Sequence, residues 1–198
     1  MNSLTSNITM FFTSYLSNTV GYSENTIKSY RDTFVLLFSY AEEEHLIKRG
    51  KISIELFHKD TITAFLEWLE SKRGVSVATR NQRLAALKSF SRYMSLSAVE
   101  YIDTFQAVLD IPPKKGSSKT VDYLTVEAIT LLLKEPDFDS YSGIRDLAIL
   151  SLLYESGCRV QELINLKYGD LSPASPATIM VTGKGNKTRI IPISSKAV

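Results

Sequence analysis

Residues 111–119 read Ile-Pro-Pro-Lys-Lys-Gly-Ser-Ser-Lys, and neither a helix nor an inner sheet strand runs through them. Each proline lacks a backbone donor and fixes φ near −65°, and the residue before a proline is pushed out of the helical region. Beyond Ile111 the stretch offers no large apolar side chain to a core. The chain must therefore fold as two pieces: a first domain over 1–111, a linker over 112–120 and a second domain over 121–198.

The first piece reads as helices. Ile8 to Leu16 forms a short apolar helix, and Ser23 is placed to cap a long second one. In that second helix Ile27, Tyr30, Phe34, Leu37, Phe38 and Ala41 recur at three- and four-residue steps, a stripe of helical period. Asp60 is placed to cap a third helix with Ile62, Phe65, Leu66 and Leu69 inward. Ser76 is placed to cap a fourth that runs to about Leu96, and a fifth covers Val99 to Leu109. Four to five helices on short connections predict a small bundle.

The second piece is mixed. Thr125 opens a helix through Lys134, and Ser140 to Ser156 forms another. Its centre, Asp146 to Leu153, is apolar nearly all round and is expected to be buried. Gly157 ends it, and a short helix follows from Val160 to Leu166. Thr178–Thr182 and Thr188–Ile193 then flank Gly183-Lys184-Gly185-Asn186-Lys187, the pattern of a β-hairpin. The fold class is mainly α: a helical bundle followed by an α+β segment with a hairpin.

Composition narrows the function. One cysteine excludes a disulfide framework and a four-thiolate zinc site, and His45 and His58 have no ligand-spaced partners, so no metal is expected. No apolar run approaches 18 residues, so no membrane span is expected. The N-terminus lacks a basic region and a cleavage site, so no secretory leader is expected. The net charge of +2 conceals blocks: nine basic against three acidic side chains over 72–119, and six against two over 157–198. Two basic blocks between acidic ones suit surfaces that face a polyanion; chance clustering on solvated helices is the alternative.

Two places carry candidate chemistry. On the fourth helix Ala86, Leu87, Phe90, Tyr93 and Met94 fall on one side, while Arg80, Asn81, Lys88, Ser91 and Arg92 fall mostly on the other. Arg, Asn and Lys on an outward face suit a DNA major groove, with most contacts going to phosphates; a solvated basic face is the alternative. In the second piece Arg159 begins a helix just after Gly157, where a guanidinium can fork onto two phosphate oxygens. Glu162, one turn on, can pair with Arg159 or accept hydrogen bonds that position the site. Lys184, between two glycines at the hairpin tip, has the reach to neutralise phosphate or protonate a leaving oxygen. Cys158 reads as a buried structural thiol, although Arg159 beside it could lower its pKa.

Tyr154-Glu-Ser-Gly-Cys-Arg-Val-Gln-Glu-Leu-Ile-Asn-Leu166 resembles the first box of the tyrosine recombinases, with its Gly-x-Arg-x-x-Glu-Leu core. Val181 to Ile193 resembles their catalytic-lysine hairpin, and the 25-residue step from Arg159 to Lys184 fits the family spacing. Ser23-x-x-Thr26-x-x-x-Tyr30 and the Thr79 to Tyr93 run look like the family's SAM-like core-binding domain. Leu124-Thr125-x-Glu127 and Arg145-Asp146-x-Ala148 look like the opening of its catalytic domain. The resemblance is to Xer-like and phage or transposon integrases.

That resemblance implies site-specific cutting and rejoining of double-stranded DNA through a 3′-phosphotyrosine, with no cofactor, in the cytoplasm on the nucleoid. It implies Arg159 as a phosphate-stabilising arginine, Lys184 as the acid for the departing 5′ oxygen, and Glu162 as a supporting residue. It also implies DNA contacts from Arg80, Asn81, Arg83, Lys88, Arg92, Lys187 and Arg189. Four protomers are implied on two DNA sites. The family's His-x-x-Arg box and nucleophilic tyrosine lie beyond the lysine hairpin, and here no His follows His58 and no Tyr follows Tyr168. The 198 residues are expected, as a fragment or a natural truncation, to bind DNA as a monomer without cleaving it. A non-catalytic DNA-binding regulator or decoy of the same modules is the alternative.

Overall fold

The computed structural model describes residues 3–44, 46, 52–116, 122–183 and 185–194. The chain divides into two compact units, 1–119 and 120–198.

In the first unit Ser3 caps α1 (Leu4–Met10) by accepting from the Ser6 amide. A π-helical stretch, Phe11–Thr19, continues it, so the expected helix over Ile8 to Leu16 is both longer and wider-wound. Ser23 caps α2 (Glu24–Glu43), and Ser76 caps α4 (Val77–Ser97), each accepting an amide three residues on. α3 (Lys59–Ser71) begins one residue before Asp60, so Asp60 sits in its first turn and does not cap it. The expected fifth helix starts as a 3-10 turn, Val99–Tyr101, before α5 (Ile102–Leu109).

Phe90 on α4 organises the core. Its ring lies 5.2 Å from Phe11 and Phe34, 5.0 Å from Phe57 and 5.8 Å from Phe105, mostly edge-on as aromatic quadrupoles prefer. Those rings come from the π-helical stretch, α2, a 3-10 turn at Ile54–Phe57 and α5. α4 thus packs on all four of them through one side chain. Its expected inward residues are all buried, but so are Arg80 and Ser91, which were expected outward.

In the second unit Thr125 caps α6 (Val126–Leu132), and Ser140 caps α7 (Tyr141–Ser156) through the Gly143 amide. A side chain at 143 has no space, because its Cβ would collide with the Asp137 carbonyl oxygen. Gly157, at φ +57°, ends α7 in the left-handed conformation that favours glycine. After α8 (Val160–Ile164) come β1 (Leu171–Ser172), β2 (Thr178–Thr182) and β3 (Thr188–Pro192), antiparallel in that order. The expected hairpin is present; the two-residue β1 beside it was too short to read ahead of Pro173 and Pro176.

Cys158, Ala177, Ile179, Val181 and Ile193 form a small core, with Leu152, Leu153 and Leu163 packed on it. The expected burial of α7 is corrected: within the helix only Gly143 is buried, while Tyr141, Ile144, Ile149 and Tyr154 are exposed. Its apolar circumference exceeds what a three-stranded sheet covers. No helix among the described residues is long and apolar enough to cross a membrane.

Candidate active site

The chain makes a sharp corner where α7 gives way to α8. The Cys158 amide donates to Ser156 Oγ, and the Cys158 side chain sinks into the small core. Arg159 follows in extended conformation as the residue that opens α8. Its backbone N–H would be left without a partner at a helix start, and Glu162 Oε2 accepts it at 2.9 Å.

Glu162 is the centre of the site. It is 4% exposed. Oε1 accepts from one guanidinium nitrogen of Arg159 at 2.9 Å and one of Arg189 at 3.1 Å. Oε2 accepts the Arg159 backbone N–H and the second Arg189 nitrogen at 2.8 Å. A carboxylate offers about four lone-pair sites, and here all four are taken. The Arg189 fork, then the Arg159 amide, hold the Glu162 carboxyl well below the usual range, at about 2. The same carboxylate raises the Arg189 pKa above its ordinary value.

The two arginines keep an open side. The Arg159 side chain is 72% exposed and that of Arg189 44%. One carboxylate between two guanidiniums leaves one net positive charge, with donors to spare on Arg159, which spends a single nitrogen on Glu162. The arrangement suits a tetrahedral oxyanion such as a phosphodiester.

Gly183 completes the packing. A Cβ there would lie 2.5 Å from Glu162 Oε1 and 3.5 Å from the Arg189 guanidinium. The Gly183 amide donates to the Lys187 carbonyl at 2.8 Å and closes the hairpin tip, where Gly185 and Asn186 both have positive φ. Lys184, the next residue after Gly183, lies outside the described residues, as do residues 117–120 of the expected linker and His45.

The expected DNA-contacting side chains are divided. Arg189, placed among them, grips Glu162. The reason is register: Arg189 pairs with buried Val181, and Ile191 with buried Ile179, so Arg189 lies on the inner face of β3 and needs an anion there. On α4, Arg80 is buried and donates to Asn81 Oδ1 at 3.1 Å. Asn81 binds the Lys114 backbone. Arg83 donates to the Ser29 carbonyl at 2.8 Å and Thr33 Oγ1 at 3.2 Å. Lys88 donates to the Leu109 carbonyl, and burial pushes its ammonium pKa down. Only Arg92 of the five is exposed; Lys187 is exposed on the hairpin. The open side of α4 runs through Ala78, Gln82, Ala85, Arg92 and Leu96, and Arg80, Asn81, Arg83 and Lys88 lie off it, within reach of neighbouring groups.

Gly183 and the Arg189 role were missed from sequence. The signal for Arg189 was its phase: it falls on the same face as Ile191 and Ile193.

Residues 122–198 match the profile described as Phage integrase family, and 11–96 match that described as Phage integrase, N-terminal SAM-like domain. A Sinorhizobium fredii protein named as an integrase or recombinase is 38% identical over 87% of this chain and 52% of its own length. Tyrosine recombinase XerC of Staphylococcus carnosus is 32% identical over 88% and 55% respectively. Tyrosine recombinase XerD of Haemophilus influenzae is 33% identical over 89% and 56%. The chain thus spans about half the length of these curated relatives. In fold it is similar to the XerH site-specific recombinase in a post-cleavage complex with its difH substrate, at TM-score 0.64 and 20% identity over 86% of this chain and 49% of that one.

Proposed function

The chain belongs to the phage integrase family of tyrosine recombinases, and on that premise we propose that these 198 residues bind duplex DNA for site-specific recombination and hold the reacting phosphate on Arg159, which Glu162 and Arg189 position. The observation that carries this is the saturated Glu162 carboxylate, which fixes two guanidiniums side by side with their open faces outward.

In such a reaction a tyrosine oxygen attacks phosphorus, the bond to the 5′ oxygen breaks, and that oxygen takes a proton. Negative charge grows on the non-bridging oxygens in the transition state. Donors held in place beforehand stabilise it without reorganising. Arg159 supplies that stabilisation, Glu162 and Arg189 keep Arg159 in position, and Lys184 is the proton donor to the departing 5′ oxygen. The attacking tyrosine has no counterpart in the family's order among these residues, so their share is binding, orientation, charge stabilisation and the Lys184 proton.

Residues 1–111 serve as the core-binding domain, 112–120 as the linker and 121–198 as part of the catalytic domain. Arg92 and Lys187, exposed on separate units, supply phosphate contacts. The 198 residues alone are monomeric, and recombination proceeds in a homotetramer on two sites, in the cytoplasm. Fluorescence anisotropy with a labelled duplex tests the binding step. Affinity should fall linearly on a log–log plot against salt, with a slope of about −0.9 for each phosphate contacted. Binding that ignores salt contradicts the proposal.

A further inference from the structure

The linker's opening residues are built into the helical unit. Ile111 is buried in the bundle core. One residue pair upstream, the Leu109 carbonyl accepts from Lys88 on α4. At Lys114 the side-chain amide of Asn81 makes both bonds that a neighbouring strand would make. Its Nδ2 donates to the Lys114 carbonyl at 2.8 Å, and its Oδ1 accepts the Lys114 N–H at 2.9 Å. Gly116 then lies over Val77, so that a Cβ there would sit at ordinary contact, 3.5 Å, from Val77 Cγ1.

These anchors run backwards along α4: position 88, then 81, then 77. Eleven residues of helix cover about 16 Å, and the seven steps from Leu109 to Gly116 reach at most about 25 Å when extended. The prolines supply that extended path, since Pro112 and Pro113 have no N–H to leave unpaired.

A ring of polar groups holds Asn81 in the orientation this needs. Arg80 donates to the same Oδ1 at 3.1 Å. Arg80 Nε lies 4.0 Å from Glu70 on α3. Glu70 in turn accepts from Lys114 Nζ at 2.9 and 3.2 Å. Four residues on α3, α4 and the linker thus close on one another, with Arg80 buried beneath them. An Asn that needed only solvent would not require a buried arginine to aim it.

We infer that Asn81 is a positioning residue for the linker: with Arg80 and Glu70 it docks residues 111–116 against α4, so the chain leaves the helical unit at Gly116 beside the start of α4 and not at Ile111. Asn81 therefore reads no base edge, because its acceptor is filled twice and its amide is turned to the linker. The inference does not depend on the recombinase function proposed above.

Amide hydrogen exchange on the 198-residue chain tests it. Loss of one hydrogen bond should speed exchange of the Lys114 N–H in Asn81→Ala by about tenfold. Amides of α3 and α5 should keep their protection, which a general loosening of the bundle would not leave intact. Unchanged Lys114 exchange in that variant, or free exchange of Lys114 in the parent chain, overturns the inference. If Asn81→Ala loosens the bundle, the same donor is removed from the linker side by Lys114→Pro, with Lys114→Ala as its reference. Both lose the ammonium on Glu70, but only the proline loses the N–H. Faster trypsin cleavage after Lys115 in the proline variant supports docking, and equal rates in the two variants refute it.

Discussion

Arg189 and Glu162 stand 27 residues apart in the chain, and they meet as a two-pronged pair, nitrogen to oxygen at 3.1 and 2.8 Å. The pair ties the hairpin to the start of α8, and it does so on a carboxylate that also holds Arg159 by both backbone and side chain. The position of the exposed arginine is therefore set by a strand residue that does not touch it.

Removing Arg189 should show at neutral pH and fade in acid. The Glu162 carboxyl titrates at about 2 in the folded chain, against an ordinary 4.5. A depressed carboxylate adds stability above its unfolded pKa and loses it as the pH falls toward the folded one. The contribution of Glu162 is thus present above about pH 4.5 and fades between there and about pH 2. In Arg189→Ala two of the four donors are gone, so the carboxyl pKa should rise, the contribution above about pH 4.5 should shrink and its loss should be complete at a higher pH. Carbon-13 NMR of the Glu162 carboxyl reads this directly; a titration unchanged by the substitution would count against the pairing.

Gly183→Ala should disturb the same carboxylate from the other side. The added methyl meets Oε1 at 2.5 Å, and Oε1 is held by two arginines. Overpacking of this kind costs about 1–3 kcal/mol. Hydrogen exchange across β2 and β3 should rise, while the helical unit is unaffected.

Phe90→Ala should cost the helical unit about 3–5 kcal/mol, as for other buried aromatic residues. Leu96→Ala, on the same helix but exposed, should stay within about 0.5 kcal/mol. Urea midpoints for the two variants check this, and equal effects would contradict the placement of Phe90 at the centre.

These two helix positions show what could be read without a structure. The apolar period of α4 was legible because Phe90, Tyr93 and Met94 repeat at helical steps, and the structure buries all three. Its polar side was not legible. Arg80, Asn81, Arg83 and Lys88 look like a solvated or DNA-facing set, but their hydrogen bonds go to neighbouring groups of the same unit. Period reports which side chains are apolar; it is silent on which polar ones have partners elsewhere in the chain. In the second unit, spacing alone suggested the Arg159–Glu162 pair one turn apart. Arg189 joined them only through strand register, which the hairpin tip determines.

The division on α4 predicts unequal effects on DNA binding. Arg92→Ala and Lys187→Ala, at exposed positions, should each reduce the salt slope by about 0.9 and leave the fold intact. Arg80→Ala should instead lower stability, because Asn81 and Glu70 lose their buried partner. Anisotropy salt series paired with thermal melts separate the two outcomes. A lower slope at full stability for Arg80→Ala would return that residue to the DNA surface.

The phosphate site itself is tested most directly by duplex binding of Arg159→Ala compared with the parent chain, both measured across a salt series. A charged hydrogen bond of about 1.5–3 kcal/mol predicts affinity weakened by at least about tenfold. The slope should fall by about 0.9, one phosphate contact. The same affinity and the same slope for both proteins would contradict the assignment of a DNA phosphate to Arg159.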